Sequence, residues 1–349
     1  METFLDSKGT PARVKAVAMG MWALATAAHA QSSVTIYGIV DATVRYATNA
    51  PGKGTLLSVG DGAQTGSRLG FKGEEVLQPD WKAFFILEEG LDPSTGTQQQ
   101  TTASASYGQA AATTGRAWGR TSLVGLDTPA GQVSLGRQYT IAHELSSRFQ
   151  PEGNPNMDAL SVYSGHHVAR QDNMVRYQAK LADVTVYASG TASESNGSAN
   201  GVGASGKWEA LEVMAYAQNM RAATGGEVRR IYGLGGVYTL PDGSKLMGGT
   251  MLRKQELGAQ RNLVYSLGMV KKLSDTLNLE ASYVRDRQSH TSAGARSVLS
   301  GGLDVLLSKR TDVYVLLDRN QITGAYTLPT FMGHRGEQFG VTSGLRHRF

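Results

Sequence analysis

The sequence predicts an all-β protein, a transmembrane antiparallel β-barrel of about sixteen strands. Three observations lead to this fold class. Segments of about ten residues alternate apolar and polar side chains with a period of two, as in strands with one face in lipid. The connections between these segments alternate between tight turns and longer polar stretches. Beyond the first 30 residues, no stretch approaches the roughly 18 apolar residues of a transmembrane helix, so only a closed barrel would satisfy the backbone in lipid.

Composition limits the possible functions. The chain has 349 residues, 43 glycines, no cysteine and a formal net charge of +5. The absence of cysteine argues against a disulfide-stapled domain and a thiol enzyme, and it removes metal sites built on cysteine. The basic residues are scattered through the strand segments rather than clustered, which argues against a nucleic-acid partner. We therefore expect neither a cofactor nor a nucleic-acid partner.

The N-terminus has the pattern of an export signal. Lys8, Arg13 and Lys15 precede a run of small apolar residues from position 16 to 28. The run ends in Ala-His-Ala at positions 28–30, which has the small-x-small form of a signal peptidase site. We expect residues 1–30 to be a cleaved signal peptide and residues 31–349 to form the barrel as one domain.

The first and last strand segments show the alternation best. In Ser33–Tyr46, Val34, Ile36 and Val40 share one face. In Gln338–Phe349, an apolar set falls on one face and a polar set that includes both arginines falls on the other. The other predicted strands are Gly66–Glu75, Trp81–Leu91, Arg116–Leu126, Gln132–Tyr139, Asn173–Lys180, Val184–Thr191, Asn200–Lys207, Leu211–Met220, Ile231–Leu240, Lys245–Leu252, Asn262–Leu273, Leu277–Arg287, Arg296–Leu307 and Asp312–Gln321.

The connections predict the orientation of the barrel. Tight turns are expected at Thr128–Gly131, Leu181–Val184, Leu240–Ser244, Leu273–Thr276 and Ser308–Thr311. Longer polar loops are expected at Thr48–Gln64, Pro93–Gly115, Glu194–Gly201 and Thr323–Gly336. Short turns on one side and long loops on the other are the layout of an outer-membrane barrel. No helical periodicity is visible after residue 30.

Tyrosines near strand ends are a further expectation. Outer-membrane barrels carry aromatic girdles at both membrane interfaces. The candidates here are Tyr46, Tyr139, Tyr187, Tyr238 and Tyr326.

Several stretches together resemble a known family. They are "SSVTIYGIVDATVRY", "GSRLGFKGEE", "LVGLDTPAGQVSLGRQYT", "DNMVRYQ" and the final "GLRHRF". The chain resembles the general trimeric porins of Gram-negative bacteria, particularly the beta-proteobacterial branch. The resemblance implies a homotrimer in the outer membrane, in contact with lipid and lipopolysaccharide, that acts as a water-filled channel for small hydrophilic solutes. It also implies that the third external loop folds inward and narrows the pore between loop acids and a basic wall.

The resemblance also assigns a role to the C-terminal residue. The C-terminal aromatic of such barrels is part of the signal that the barrel assembly machinery reads. Phe349 occupies that position here.

The basic wall can be placed on this sequence. Arg68, Arg137 and Arg176 match positions where porins carry wall arginines, and Lys82 and Arg120 have the same strand parity. Inward is the expected direction, because a cation at the lipid midplane would cost roughly 2 to 4 kcal/mol.

Arg137 conflicts with its own strand pattern. It shares parity with the apolar Val133 and Leu135, which should face lipid. A bulge or a strand end is needed to rotate its side chain away from lipid.

The inward loop is where the sequence departs from the family pattern. About thirty residues follow Arg137, and enterobacterial porins often carry an acid, two residues and then Pro-Glu in this loop. Here the Pro-Glu is kept with Glu152, whereas Arg148 stands where the acid would be. Glu144 and Asp158 are further candidate constriction acids. A base in place of an acid predicts a weak to moderate preference for anions.

Two other functions remain open at this point. An outer-membrane enzyme could use His143 with Glu144, or His166 and His167 with Ser164, although no nucleophile motif surrounds them. The adjacent histidines could also hold zinc, but no further ligand follows at a suitable spacing.

A substrate-specific channel is the other possibility. Such channels line their path with aromatic side chains that contact a flat solute. The candidates for that role are Trp81, Trp118 and Trp208.

Overall fold

The computed structural model describes most of the chain after the predicted signal peptide. The described residues are 32–52, 54–101, 107–109, 115–151, 159–192, 196–290 and 292–349. They form strands and two short helices, α1 (Ile141–Arg148) and α2 (Ala159–Ser164). The strands are β1 Ser32–Ala50, β2 Gly54–Asp61, β3 Arg68–Gln78, β4 Trp81–Leu91, β5 Gln98–Gln99, β6 Thr121–Thr128, β7 Gly131–Tyr139, β8 Arg170–Leu181, β9 Val184–Thr191, β10 Ser198–Trp208, β11 Leu211–Arg221, β12 Val228–Thr239, β13 Lys245–Gln255, β14 Arg261–Lys272, β15 Leu277–Ser289, β16 Gly294–Leu306, β17 Thr311–Gly324 and β18 Gly336–Arg348.

The wall of the barrel has sixteen strands. Both β2 and β3 pair antiparallel with β1, so they are two parts of one strand that is interrupted at residues 62–67. The two-residue β5 pairs only with the end of β4, in the connection to β6. When β2 and β3 are counted as one strand and β5 is left out, the eighteen strand segments reduce to sixteen. All of them pair antiparallel with their neighbours. The predicted fold class is confirmed.

The last strand closes the barrel against the first. β18 pairs with β1 in a register that places His347 opposite Val40 and Ser343 opposite Val44. The pairing ends where Gly38 N donates to the carbonyl oxygen of Phe349 and Phe349 N donates to that of Gly38, both at 3.1 Å. Because β1 and β18 pair, neither the first nor the last strand of the barrel is left as an edge in lipid.

Apolar side chains lie on the outside of the wall. Leu57 and Leu267 are each 70% exposed, and Ile36 is 60% exposed. The inward-facing Asp41, Arg45 and Arg346 are buried, although aspartate and arginine are mostly exposed in soluble proteins. This inverted distribution fits a wall that faces lipid outside and polar groups inside. No helix in the described part of the chain is long and apolar enough to cross a membrane.

One predicted loop was wrong. The stretch Thr48–Gln64 was expected to be a long polar loop, whereas β1 runs to Ala50 and β2 begins at Gly54. Polar residues in this stretch are strand residues, because the two strands extend as a hairpin past their neighbours.

The described residues of the connection between β7 and β8, 140–151 and 159–169, fold into the barrel. They are called the constriction loop below. Thr140 caps α1 by accepting a hydrogen bond from His143 N on its Oγ1 at 3.2 Å. Packing places α1 on β9–β12 and α2 on β14–β15. These helices of 8 and 6 residues are too short to give a visible helical period in the sequence.

The constriction loop is held by an apolar core inside the barrel. Leu145 and Phe149 of the loop are fully buried. They belong to one cluster with inward-facing wall residues that include Met214, Tyr216 and Met251. On this side of the barrel, apolar side chains face inward because the loop covers them.

A second segment also leans into the barrel. Residues 62–67, between β2 and β3, lie inside the wall rather than in it. The hydroxyl oxygen of Tyr314 accepts hydrogen bonds from Ala63 N at 3.1 Å and Gln64 N at 3.3 Å. Gln64 Nε2 also donates to Glu280 on β15 at 3.1 Å. The segment, called the inner bulge below, thus spans from β1 towards β15 and β17.

Candidate functional site

Glu88 organises the basic wall. It lies on the inward face of β4, where Arg120 Nε donates to its Oε1 at 2.7 Å. A terminal nitrogen of Arg68 lies 4.0 Å from the same oxygen, and the Tyr37 hydroxyl donates to the other at 3.0 Å. The carbonyl of Gly66 in the inner bulge accepts from Arg68 Nε at 3.1 Å, which fixes the guanidinium. Sequence reasoning missed Glu88, although it has the same strand parity as Lys82.

Tyr139 extends this group towards the constriction loop. Its hydroxyl accepts from Arg120 at 2.9 Å and also from Arg170. The guanidinium carbon of Arg170 stands 4.3 Å from the centre of the Tyr139 ring. Arg170 is held by an aromatic ring rather than by a carboxylate, and its buried Nε has no hydrogen-bond partner among the described residues. Arg68, Arg120 and Arg170 around Glu88 and Tyr139 are called the arginine cluster below.

Arg137 is turned by a bulge, as its strand pattern required. The register between β7 and β8 shifts between Gly136 and Gln138. Arg137 donates to Asp172 at 2.7 Å and, through Nε, to the carbonyl of Gly119 at 2.8 Å. Since Arg116 donates to the same carboxylate at 2.7 Å, Arg137 belongs to a separate ion-paired group under the β4–β6 connection.

Arg176 and Glu144 join the wall to the loop. Their closest nitrogen and oxygen atoms lie 2.6 Å apart. The guanidinium of Arg176 also stands 5.5 Å from the centre of the Tyr187 ring. One predicted wall arginine and one predicted loop acid are therefore in direct contact.

The other predicted site residues lie elsewhere. Arg148, at the end of α1, pairs with Glu212 on β11 and donates to Ser205 Oγ at 3.1 Å. Lys82 has the inward parity of Glu88 but precedes it by six residues, about 20 Å along an extended strand. It lies beside the short turn to β3, away from the arginine cluster. Glu152 and Asp158 fall outside the described residues.

The histidines of the constriction loop have packing partners. His143 stacks on Tyr139 with ring centres 4.9 Å apart, and its Nδ1 lies 3.3 Å from Nε2 of His167. Burial lowers the pKa of His143 well below its usual value and lowers the pKa of His167 to about 3. His166 Nε2 lies 2.6 Å from a carboxylate oxygen of Asp286 on the wall.

No nucleophile pair forms among these residues. The hydroxyl of Ser164 donates to the carbonyl of Ser161 at 3.3 Å, and not to a histidine. Within the described residues, no group of three or more metal-ligating side chains could hold an ion.

The predicted aromatic positions need correction. Trp118 packs edge-on against Phe71, whose parity is outward, at 5.8 Å between ring centres. Trp81 and Trp208 are exposed at the outer face, so these tryptophans do not line the passage. Of the five tyrosines expected in girdles, Tyr46 and Tyr238 face outward. The other three, Tyr139, Tyr187 and Tyr326, contact inward groups instead.

A closed barrel with an apolar outer face and a charged inner constriction defines an outer-membrane channel. A model of the Gram-negative porin family matches residues 16–324, and the chain belongs to this family. It is therefore a channel of the bacterial outer membrane and not an enzyme.

Relatives and solved structures agree with this assignment. The chain is 26% identical over 393 aligned positions to an outer membrane porin protein of Bordetella pertussis, covering 93% of this chain and 96% of the relative. It is 33% identical over 121 positions to outer membrane porin protein 32 of Delftia acidovorans, covering 35% and 30%. These relatives confirm the predicted beta-proteobacterial branch.

Two solved structures share the fold of this chain. An anion-selective porin from Comamonas acidovorans aligns with a TM-score of 0.76 at 21% identity, over 91% of this chain and 100% of that one. The trimer form of OmpT from Vibrio cholerae aligns with a TM-score of 0.69 at 14% identity, over 91% and 99%.

Proposed function

We propose that this porin passes small hydrophilic solutes and ions by passive diffusion, with a weak to moderate preference for anions. The supporting observation is the charge balance at the constriction. Four guanidinium groups stand against two carboxylates in the group formed by Arg68, Arg120, Arg170, Arg176, Glu88 and Glu144. An excess of fixed positive charge attracts anions and repels cations.

The size of the preference follows from solvent screening. Two unit charges 4 Å apart interact by about 1 kcal/mol in bulk water and by about 4 kcal/mol at an effective dielectric of 20. A passage filled with water lies near the lower value. A severalfold bias towards anions is therefore expected, rather than exclusion of cations.

The residues that carry the bias differ from the first expectation. Arg148 was expected to make the electrostatic potential at the constriction more positive, but its guanidinium is paired with Glu212. Among the described residues, Glu88 is the one carboxylate ion-paired with the three guanidiniums of the arginine cluster, so we assign most of the bias to this cluster. The likeness in fold to the anion-selective porin from Comamonas acidovorans is consistent with this assignment.

Ion selectivity can be measured directly. Purified protein in a planar bilayer is held under a tenfold KCl gradient, and the zero-current potential is recorded. A potential of the sign set by chloride permeation supports the proposal, whereas a cation-selective potential would refute it. Large stepwise conductances test the channel itself, independently of its selectivity.

We infer the assembly from the family. Removal of residues 1–30 on export, a homotrimer in contact with lipopolysaccharide, and recognition of Phe349 by the barrel assembly machinery are proposed together. A trimer form exists for the Vibrio cholerae relative, and the Phe349 ring here is 46% exposed on the outer face. N-terminal sequencing of the exported protein and chemical cross-linking in outer membranes test the first two points.

A further inference from the structure

A bare apolar patch lies on the inner face of the barrel. Phe84 and Ile86 on β4 have the inward parity of Glu88, and Leu123 on β6 stands directly opposite Ile86. All three side chains are half-buried. The constriction loop packs on β9–β12 and β14–β15, and the inward apolar side chains there are covered by it. The patch formed by Phe84, Ile86 and Leu123 instead borders the passage.

The local geometry presents a flat surface. Phe84 stands opposite Gly125 across the β4–β6 pair, and its ring lies over that glycine. A Cβ atom added to Gly125 would come within 2.3 Å of the ring, so glycine is needed at this position for the Phe84 ring to lie flat across the neighbouring strand. An exposed aromatic face beside two aliphatic side chains is suited to stacking against another flat apolar group.

The patch is part of a recess in the constriction. The recess has a volume of about 310 Å³ and is bounded by Tyr37, Glu88, Glu144 and Arg176 as well as by the patch. This volume is at the small end of the range for ligand pockets, which fits a solute with a single ring. The recess is therefore sized for a small organic molecule.

A hydrogen-bond donor is available in the same recess. Gln138 lines it and is only 4% exposed. Its Oε1 accepts from Ser134 Oγ at 2.7 Å, while its Nε2 has no partner among the described residues. Buried polar groups normally have a hydrogen-bond partner, so an unpaired amide donor points to an acceptor that arrives with a solute.

The charge nearby selects the sign of that solute. Arg176 lines the recess together with Glu88 and Glu144, and the arginine cluster lies beyond Glu88 and Tyr139. These six charged groups together carry four positive charges against two negative ones. An apolar surface, an amide donor and excess positive charge together match an aromatic ring that bears a carboxylate.

We infer that this recess is a binding subsite for small aryl carboxylates on their way through the channel. The inference rests on the proposed anion preference and names one class of anion that the channel would favour. The ring would lie on Phe84, Ile86 and Leu123. The carboxylate would accept from Gln138 Nε2 and be attracted by the guanidinium of Arg176, which lines the recess, and by the arginine cluster beyond Glu88.

Benzoate is the probe, and acetate is the matched anion without a ring. Single channels are recorded in planar bilayers in KCl while each sodium salt is titrated on one side. We expect saturable current interruptions with benzoate and none with acetate at the same concentration. Phe84→Ser and Leu123→Ser should each raise the half-blocking benzoate concentration by about fivefold to tenfold, because an apolar contact is lost.

Leu56→Ser is the control, since Leu56 has the inward parity of β2 and lies outside the recess. It should leave the benzoate response unchanged. Two substitutions on different strands guard against a folding defect in one of them, and open-channel conductance in KCl alone verifies folding. Gln138→Leu keeps the volume but removes the amide donor, so it should also raise the half-blocking benzoate concentration.

The outcomes separate this inference from the proposed function. Equal interruption by benzoate and acetate, or a benzoate response unchanged in both patch variants, would overturn the subsite. A cation-selective potential in KCl alone would overturn the anion preference instead. Because the two are measured in different solutions, either can fail alone.

Discussion

Glu144 on α1 and Arg176 on β8 form an ion pair with 2.6 Å between their closest atoms, and it joins the constriction loop to the barrel wall. The Arg176 side chain is 10% exposed, whereas that of Glu144 is 35% exposed. The pair therefore has one side towards the passage. It contributes both to the position of the loop and to the local field, and the following predictions separate these contributions.

Removing the acid of this pair should increase anion preference. In Glu144→Gln, Arg176 keeps its charge and loses its counter-charge, so the field becomes more positive by one unit. An interaction of about 1 kcal/mol predicts a few-fold rise in the chloride to potassium permeability ratio. The zero-current potential under a KCl gradient measures it. Glu337→Gln, an acid paired with Arg319 at the outer face, is the control and should have no such effect.

Removing an arginine of the arginine cluster should decrease the anion preference and also destabilise the folded barrel. Arg120 is 4% exposed and bonded to Glu88, so Arg120→Gln leaves a buried carboxylate with less compensation. Loss of one partner of a buried pair costs about 3 kcal/mol, which should lower the temperature at which the folded protein denatures on a heat-modifiability gel.

Lys82→Gln is the matched control for that substitution. It also removes one inward cation, but about 20 Å from Glu88 along β4. We expect a smaller change in selectivity and no loss of heat stability. Equal effects of both substitutions would contradict the role assigned to the arginine cluster.

Reversing the charge of Arg148 should shift selectivity towards cations. Arg148→Asp places a carboxylate beside Glu212 and removes the hydrogen bond to Ser205. Repulsion should also loosen the end of α1, which would appear as increased current noise. Arg148→Gln removes the charge without the repulsion, so it should shift the potential less and add little noise. Indistinguishable records from the two variants would argue against the Glu212 contact.

The constriction loop should lose order as the pH falls. Burial lowers the pKa of His143 and His167 below the ordinary value near 6.5, to about 3 for His167. At pH values between the lowered pKa and the ordinary pKa, the unfolded loop therefore binds more protons than the folded loop. The stability that the loop gains from these neutral histidines is fully present above about pH 6.5 and falls as the pH drops, towards about pH 3 for His167. Hydrogen exchange of the α1 amides between pH 7 and 4, corrected for the intrinsic rate, measures this loss.

Two substitutions test the assignment to these histidines. His143 lies next to His167, Arg170 and Arg120, all of which oppose its protonation. His143→Gln removes one titrating group and should flatten the pH dependence of exchange. His334→Gln, in an exposed external connection, should leave it unchanged. A pH dependence that survives His143→Gln and His167→Gln together would contradict this explanation.

A side chain at Gly38 should hinder closure of the barrel. The Phe349 ring crosses Gly38, and an added Cβ would come within 2.4 Å of it. Gly38→Val should displace the ring and lower the yield of folded barrels when the protein is refolded into detergent or membranes. Gly60→Val is the control, since no atom lies within 4 Å of a Cβ placed there. Equal yields of the two variants would show that the Phe349 ring does not contribute to barrel closure.

Much of the fold follows from local pattern. In β18, Phe339, Val341 and Leu345 were assigned to the apolar face from their spacing alone, and all three are about half exposed on the outer face. The period of a strand is a property of neighbouring residues, so a single segment suffices to assign its faces. The conflict at Arg137 was visible for the same reason, and the register shift beside it is present.

The pairing of charges required the tertiary structure. Glu88 and Arg120 are 32 residues apart, and they meet because Glu88 stands opposite Thr121, next to Arg120, in the β4–β6 register. The partner of Arg137, Asp172, lies across the whole constriction loop. Register between strands depends on turns and bulges, and no local pattern encodes which ions face each other.

The sequence by itself determined a closed barrel and its two faces, because alternation and loop length are local properties. Only the tertiary structure decided that the inner bulge at residues 62–67 holds Arg68, and that Arg148 is paired with Glu212. It also decided that the constriction loop covers one apolar inner wall and leaves Phe84, Ile86 and Leu123 beside the passage. These outcomes depend on which surfaces a folded loop covers, and burial of that kind is settled only when distant segments pack together.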